Sequence, residues 1–499
     1  MENINIQSES KITSSNTILF IVLLVLSAAT AAIFTFYGSR AGVIPLVVTV
    51  ALVFVYIVIK EPKFAVLSIM VLSYFIMFII SYFNTSLPLG TIMDGMLAVM
   101  ILGFFIQQKY RRNYWIFKNP ISYIILIWVS YNVLQFFNLD AASKLAWVYT
   151  IRNVAAVMLS YFIFTYYLDS RKFLRTIIIL WLSLSFFAAL YAIKQEYFGF
   201  FAFEERNHYD PATIGLMFID GHWRKSSIFS DPVSYSFNMA ISSLLCIGLL
   251  TGPFKLKTKL ILAFLAMLFA WVMPYSGTRA AYVLIPAALS LFFILKLSRI
   301  ALVLSLPVAF AFLILIKVPT NNRTLARFQS AFRPNNDASF NVRKLNQKKV
   351  QPFIQTHPFG GGLGGSGIWG YRFAPNSFLA QFPPDSGYVR VAMELGWVGL
   401  LIICGIMFTS LYVGIKNFFE IRDPELKSYC LAMVLIVFAL TIANYPQEAI
   451  VQYPMSIYFY MILAIITVSK VLDNQINDGV IKLEVKEEKK VKKIDYRVV

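Results

Sequence analysis

The feature that most limits this chain is a succession of apolar runs, each long enough to cross a bilayer. They begin near Thr17, Ala41, Phe64, Leu87, Pro120, Leu145, Leu174, Val233, Thr258, Ala280, Ile300, Ser386, Ser428 and Tyr453, which makes about fourteen spans at roughly 20 residues each. Only 14% of the residues are charged and the mean hydropathy is +0.68, whereas soluble domains carry roughly 25% charge. The chain therefore reads as an all-α polytopic integral membrane protein. The run from Ser386 to Ile415 is too long for one plain span, so its first two turns are expected outside the bilayer.

Lys and Arg in the short loops set the expected orientation. Basic clusters follow the even spans: Lys60/Lys63, Lys109/Arg111/Arg112/Lys118, Arg171/Lys172/Arg175, Lys255/Lys257/Lys259, Lys296/Arg299 and Lys416/Arg422/Lys427. The short odd loops carry almost no charge, so both termini are expected in the cytoplasm. The net charge of +19 is largely this topology signal and needs no nucleic-acid partner. Ala29-Thr-Ala31 resembles a cleavage site, but Glu2 and Glu9 spoil a basic leader, which favours a retained first span. Cys246, Cys404 and Cys430 all lie in apolar runs without metal or disulfide spacing.

Four regions follow. Residues 1–317 hold eleven spans with an outward loop at 199–232, residues 318–385 form a long outward loop, residues 386–472 hold three spans, and 473–499 is a charged cytoplasmic tail. The long loop carries eight basic residues (Arg323, Arg327, Arg333, Arg343, Lys344, Lys348, Lys349 and Arg372) against one acid, Asp337, before Asp385. Such a surplus on the face where positive charge is normally scarce suggests an anion site, although a solvated basic loop is the plainer reading. Short amphipathic helices are expected at Asn322–Phe332 and Asn341–Ile354, lying across the mouths of the spans.

The same loop contains GGGLGGSG at 360–367, with a formal G-x-G-x-x-G match. A dinucleotide fingerprint needs a strand before it and a helix after it, and Gln355-Thr-His-Pro-Phe359 does not read as a buried strand. No Gly-Lys-Ser/Thr follows, which excludes a P-loop. Two readings stay open for Gly362 and Gly364: close packing, or a nest of amides for an anion.

Four outward stretches stand in order: Arg224-Lys-Ser-Ser-Ile-Phe-Ser-Asp231-Pro232; Ser276-Gly-Thr-Arg279-Ala-Ala; Arg343 leading to His357-Pro-Phe-Gly-Gly-Gly-Leu-Gly364; and Pro384-Asp385-Ser-Gly-Tyr388 followed by Glu394-Leu-Gly-Trp-Val-Gly399. This order resembles the O-antigen ligase and Wzy-type polysaccharide polymerase superfamily, by motif over Trp223 to Leu400 and by span layout over the whole chain. The resemblance implies a GT-C-like glycosyltransferase in the bacterial cytoplasmic membrane with its active site facing outward. Such an enzyme moves a glycan from a polyprenyl pyrophosphate onto a hydroxyl acceptor, with no cofactor, nucleotide or metal. A chain-length regulator or a flippase would be its protein partner. Ligases of the superfamily carry a His in an "H-N-x-Y-L"-like context where this chain reads Asp385-Ser-Gly-Tyr388. That departure favours a polymerase and moves the candidate base to a carboxylate.

The chemistry agrees with the resemblance. A pyrophosphate leaving group requires charge neutralisation and a positioned acceptor, and arginine binds phosphate bidentately while staying charged. Arg279 and Arg224 are the candidate catalytic cations, with a snorkelling role and pairing to Asp220 or Asp231 as their plain alternatives. Asp385 is the candidate base, and it would equally suit a helix N-cap. Candidate substrate-binding residues are Arg343, His357, Tyr388, Arg390, Gly362 and Gly364, although Arg390 and Glu394 also have the spacing of a helical ion pair. His208 and His222 are weaker candidates. A single convincing carboxylate favours one inverting displacement over a glycosyl-enzyme. Asp94 and Arg152 fall within spans, where charges need partners, and they motivate a rival reading as a flippase. The remaining rival is a ligase onto lipopolysaccharide core or protein.

Overall fold

The computed structural model describes residues 55–83, 89–111, 114–208, 214–219, 221–296, 323–332, 338–382 and 386–479, with scattered positions outside these ranges. The expected spans from Thr17, Ala41 and Ile300 thus lie largely outside the described residues, as do Ala29–Ala31, the 480–499 tail and Asp385. In chain order the helices are α1 Pro62–Phe83, α2 Leu89–Arg111, α3 Pro120–Leu134, α4 Lys144–Tyr167, α5 Arg171–Tyr197, α6 Ala202–His208, α7 Ile214–Met217, α8 Pro232–Leu249, α9 Leu256–Val272, α10 Arg279–Leu295, α11 Arg323–Ser330, α12 Ala338–Thr356, α13 Gly367–Phe373, α14 Gly387–Glu420, α15 Pro424–Ala443 and α16 Met455–Asn477. Among the described residues nine helices are long and apolar enough to cross a membrane, and α10 is a shorter apolar one. The all-α polytopic reading holds. A two-stranded ribbon, β1 Phe218–Ile219 with β2 His222–Trp223, interrupts it.

Helix starts follow local chemistry. Asn119, Ser143, Ser170, Asp231, Ser386 and Asp423 cap α3, α4, α5, α8, α14 and α15 with a side-chain oxygen, satisfying amides that have no partner within the helix. Proline follows the cap in α3, α8 and α15, where its missing N–H costs nothing.

Burial separates a centre from a shell. The most apolar stretches of α16, α8 and α15 are 89%, 83% and 78% buried, against 28% for α9 with the turn after it. The three central helices therefore touch protein on nearly every face, while the outer ones keep a face for lipid. Lipid tails are as apolar as leucine, so the helices associate through close packing and polar contacts. Gly248 of α8 lies against Ala432 of α15, where an added Cβ would come within 2.5 Å of the Ala432 Cα. At the end of the bundle that carries Arg171, Arg171 pairs with Asp423 and Arg175 with Glu425.

Both expected loop helices form, as α11 and α12. Phe328 of α11 packs on Tyr282 of α10 with ring centroids 5.3 Å apart. Val350 of α12 joins Leu379, Phe382 and Met393 in a small separate core. The long run after Ser386 is one helix broken at Gly396, whose backbone stands at φ 65°, ψ −164°.

Candidate functional site

Two assemblies gather the motif residues. The first surrounds the turn between α9 and α10. Met273–Ser276 forms a 3₁₀ turn, and the Ser276 hydroxyl accepts from Thr278 N at 3.0 Å. Arg279 then opens α10. Arg224 reaches this turn from the end of the β-ribbon. Its Nε donates to Ser276 O at 2.7 Å, Nη2 to Thr278 Oγ1 at 2.9 Å and Nη1 to Leu216 O at 2.8 Å. Thr278 Oγ1 in turn lies 3.3 Å from Pro232 O, which ties the turn to the start of α8.

Arg327 of α11 completes the group, its Nε donating to Gly277 O at 2.8 Å. A Cβ on Gly277 would stand 3.2 Å from that Nε and 3.7 Å from Arg224 Cγ, so both guanidinium arms crowd one glycine. Burial pushes the Arg224 guanidinium down to about 10, and the charges of Arg327 and Arg279 act in the same direction against Asp231. Three arginines from three segments thus share one turn. All three acceptors of Arg224 are neutral oxygens, which leaves its full positive charge in place.

Asp231 does not ion-pair with Arg224. Its Oδ1 accepts from Val233 N and Ser234 N at 2.8 and 2.9 Å, and its Oδ2 from Ser230 and Ser234 hydroxyls at 2.6 and 2.8 Å. The Asp220 alternative lies outside the described residues.

The second assembly is the glycine turn against the break in α14. A broken helix releases carbonyls that must find other donors. Met393 O accepts from Gly361 N and Glu394 O from Gly362 N, each at 2.9 Å, while Leu395 O accepts from the Tyr131 hydroxyl at 2.7 Å. Glu394 then turns its carboxylate into the glycine turn: Oε2 accepts from Gly364 N at 2.9 Å and Oε1 from Ser366 N at 3.2 Å and from the Ser366 hydroxyl. Arg390 lies between two acids, 3.1 Å from Glu394 Oε1 and 2.9 Å from Glu448 Oε2. The amides of Gly362 and Gly364 are therefore engaged by protein acceptors. Of the two readings for this turn, packing against α14 is the one the geometry supports.

The remaining candidates disperse. His357 stacks on Phe353 at 4.1 Å, with Nδ1 3.0 Å from Phe353 O. The Tyr388 hydroxyl donates to Thr441 O at 2.9 Å, fastening α14 to α15. Arg343 is partly exposed on α12 and, among the described residues, makes no hydrogen bond or ion pair. His222 lies 3.4 Å from Glu196; the side chains of His208 and Arg152 are not among those described, so whether Asp94 meets Arg152 lies outside the described residues. The N-cap of α14 is Ser386, which accepts from Val389 N at 3.4 Å. The capping role considered for Asp385 belongs to its neighbour. Among the described residues no three His, Cys, Asp or Glu side chains gather closely enough to hold a metal.

Residues 262–404 match the O-antigen ligase family model. That stretch is similar to the O-antigen ligase family, which supports a relation to the O-antigen ligase/Wzy superfamily. No curated protein matches it. The ligase-family stretch contains Arg279, Arg327, the glycine turn, Arg390 and Glu394, whereas Arg224, Asp231 and Glu448 lie outside it. Arg327 is the site residue that motif reading missed. It stood in the sequence only as one of eight loop cations, although its place beside Phe328 on an amphipathic helix was legible.

Proposed function

We propose that this protein belongs to the O-antigen ligase/Wzy superfamily and is a surface-polysaccharide polymerase. It transfers a glycan from a polyprenyl-pyrophosphate carrier to the hydroxyl of a lipid-linked acceptor glycan, at the outer face of the cytoplasmic membrane. The reading rests on one observation above others, the gathering of Arg224, Arg279 and Arg327 around Gly277. In the reaction the acceptor oxygen attacks the anomeric carbon as the bond from that carbon to the pyrophosphate oxygen breaks. The acceptor proton passes to a carboxylate, for which Asp385 remains the candidate, and polyprenyl pyrophosphate leaves with its charge against the arginines. Each charge-assisted hydrogen bond to that oxyanion contributes about 1.5–3 kcal/mol, and the fixed Arg224 fork needs little reorganisation as the charge develops.

The matched model is described as an O-antigen ligase, which keeps a ligase as the second reading; the two share a donor and differ in acceptor. Purified protein incubated with lipid-linked oligosaccharide is expected to yield a ladder of products. A single addition to lipopolysaccharide core or protein would favour the ligase, and transport without turnover of the donor would favour a flippase. Reporters near Asn346 should lie outside and those after Lys118, Lys259 and Lys427 inside; a cytoplasmic signal at Asn346 would put the arginines on the wrong face and end the proposal.

A further inference from the structure

A small polar cavity of about 120 Å³ opens beside the arginine turn, where the start of α8 meets the segment joining α15 to α16. Its polar lining comes from Asp231, Ser234, Asn238, Gln447, Glu448 and Gln452. Gln452 forms an exposed rim and Asn238, 1% exposed, belongs to the floor. Gln452 Oε1 lies 2.8 and 2.9 Å from the Ser230 and Ser234 hydroxyl oxygens, which holds the rim against the cap of α8. The cavity adjoins the arginines through that helix start, since Asp231 acts electrostatically on Arg224 and Thr278, a partner of Arg224, also meets Pro232 O.

Asn238 supplies the independent clue. Its Nδ2 donates to Ser234 O at 2.7 Å, yet its buried Oδ1 has no hydrogen-bond partner among the described residues. A buried acceptor left in this state is costly, and a helix packed for stability alone would gain by an apolar side chain there. The lining is rich in acceptors: two carboxylates and two kinds of amide oxygen. That set fits a ligand presenting several O–H donors. A cation is disfavoured, because Glu448 is already paired with Arg390, Asp231 is bonded to two amides and two hydroxyls, and the arginine cluster lies alongside. The volume admits several water molecules, and hence the hydroxyl-bearing edge of one sugar ring.

We propose that this cavity is a sugar subsite, binding the hydroxyl edge of the hexose next to the pyrophosphate. The proposal rests on the donor reading above, in which the arginines hold the pyrophosphate. The ring concerned belongs either to the donor, whose first sugar is joined directly to that pyrophosphate, or to the acceptor, whose attacking hydroxyl must approach the same carbon.

The test uses the full chain in nanodiscs, with lipid-linked oligosaccharide isolated from the cells that make it and sugar-free polyprenyl pyrophosphate as probes. Asn238→Leu is nearly isosteric and removes the unsatisfied oxygen, so its Tm should stay level or rise. It should nevertheless weaken oligosaccharide-donor affinity, or raise the acceptor KM, by about five- to tenfold, with affinity for the sugar-free carrier unchanged within about twofold. A loss confined to donor affinity assigns the ring to the donor; one confined to the acceptor KM assigns it to the acceptor. Gln452→Ala, at the exposed rim, should act in the same direction and serves if the first variant does not fold. Wild-type donor affinity and acceptor KM in both variants would overturn the proposal, as would an equal loss for the sugar-free carrier or binding that requires a divalent cation. Failure of the donor reading itself looks different: the wild-type protein would then not bind sugar-free polyprenyl pyrophosphate, whatever the cavity variants do.

Discussion

The arginine turn and the glycine turn both fall in the stretch that matches the O-antigen ligase family, and they solve opposite electrostatic problems. At the glycine turn a carboxylate, Glu394, fills the backbone amides, and Arg390 neutralises it on the other side. That assembly is complete in itself. At the arginine turn, Arg224 spends its hydrogen bonds on two carbonyls and one hydroxyl, while Arg279 and Arg327 press like charge on it. The comparison teaches that a glycine-rich motif can be scaffold while a plainer Ser-Gly-Thr-Arg motif gathers the arginines.

The contrast can be broken most forcefully at Gly364. A Cβ there would stand 2.2 Å from Thr150 Oγ1 and 2.7 Å from Ala146 O, at φ +77°. Gly364→Ala should cost about 3 kcal/mol or more and abolish the monodisperse peak in size-exclusion chromatography. Normal folding with a selective loss of donor binding would instead make the glycine turn an anion site.

Chemistry should fail without the fold at Asp385. Asp385→Asn is expected to keep wild-type Tm and donor affinity while product formation drops by ~10²–10⁴-fold. With Ser386 already serving as the cap of α14, helix capping gives this variant no reason to unfold. Near-normal polymer synthesis would remove Asp385 as the base.

Next in size are the arginines. Arg279→Lys keeps a charge but loses the bidentate fork, and should lower turnover by about tenfold to a hundredfold in a folded protein. Arg224→Lys should follow more mildly, because one ammonium cannot hold three oxygens and an anion. Arg327→Lys sharpens the comparison further: if it leaves donor affinity untouched, the site has two arginines and α11 is only a lid over Gly277.

The smallest effect belongs to Ser386→Ala. Removing the cap should lower stability by about 1 kcal/mol, read as a modest fall in Tm, with product formation retained. A large loss of activity at unchanged stability would mean that Ser386, and not its neighbour, handles the acceptor proton.

Much of this architecture was legible from residues alone. Membrane-length apolar runs dictate helices because a lipid-facing backbone has no other way to satisfy itself. The stripe Leu325, Phe328, Phe332 marked α11, and the length after Ser386 marked a run too long for one plain span, while the break at Gly396 came only with the structure. Arg390 and Glu394 were readable as a pair because i, i+4 spacing is local.

What the sequence could not decide depended on contacts between distant segments. Gly362 and Gly364 allow an anion nest and a packed turn equally well, since both need the same small residues; the carboxylate of Glu394, placed by the break at Gly396, resolves the choice. Arg327 looks like any of its seven basic neighbours until α11 folds onto the α9–α10 turn and brings it to Gly277 O. Glu448 and Asn238 carry no motif at all. Sequence by itself determined the helices, because periodicity and length are short-range, whereas burial did not follow hydropathy: the stretch Pro232–Leu249 is less apolar than Leu256–Ser276 yet far more buried. Which charges share a neighbourhood was decided only when segments 30 to 58 residues apart came within hydrogen-bond distance.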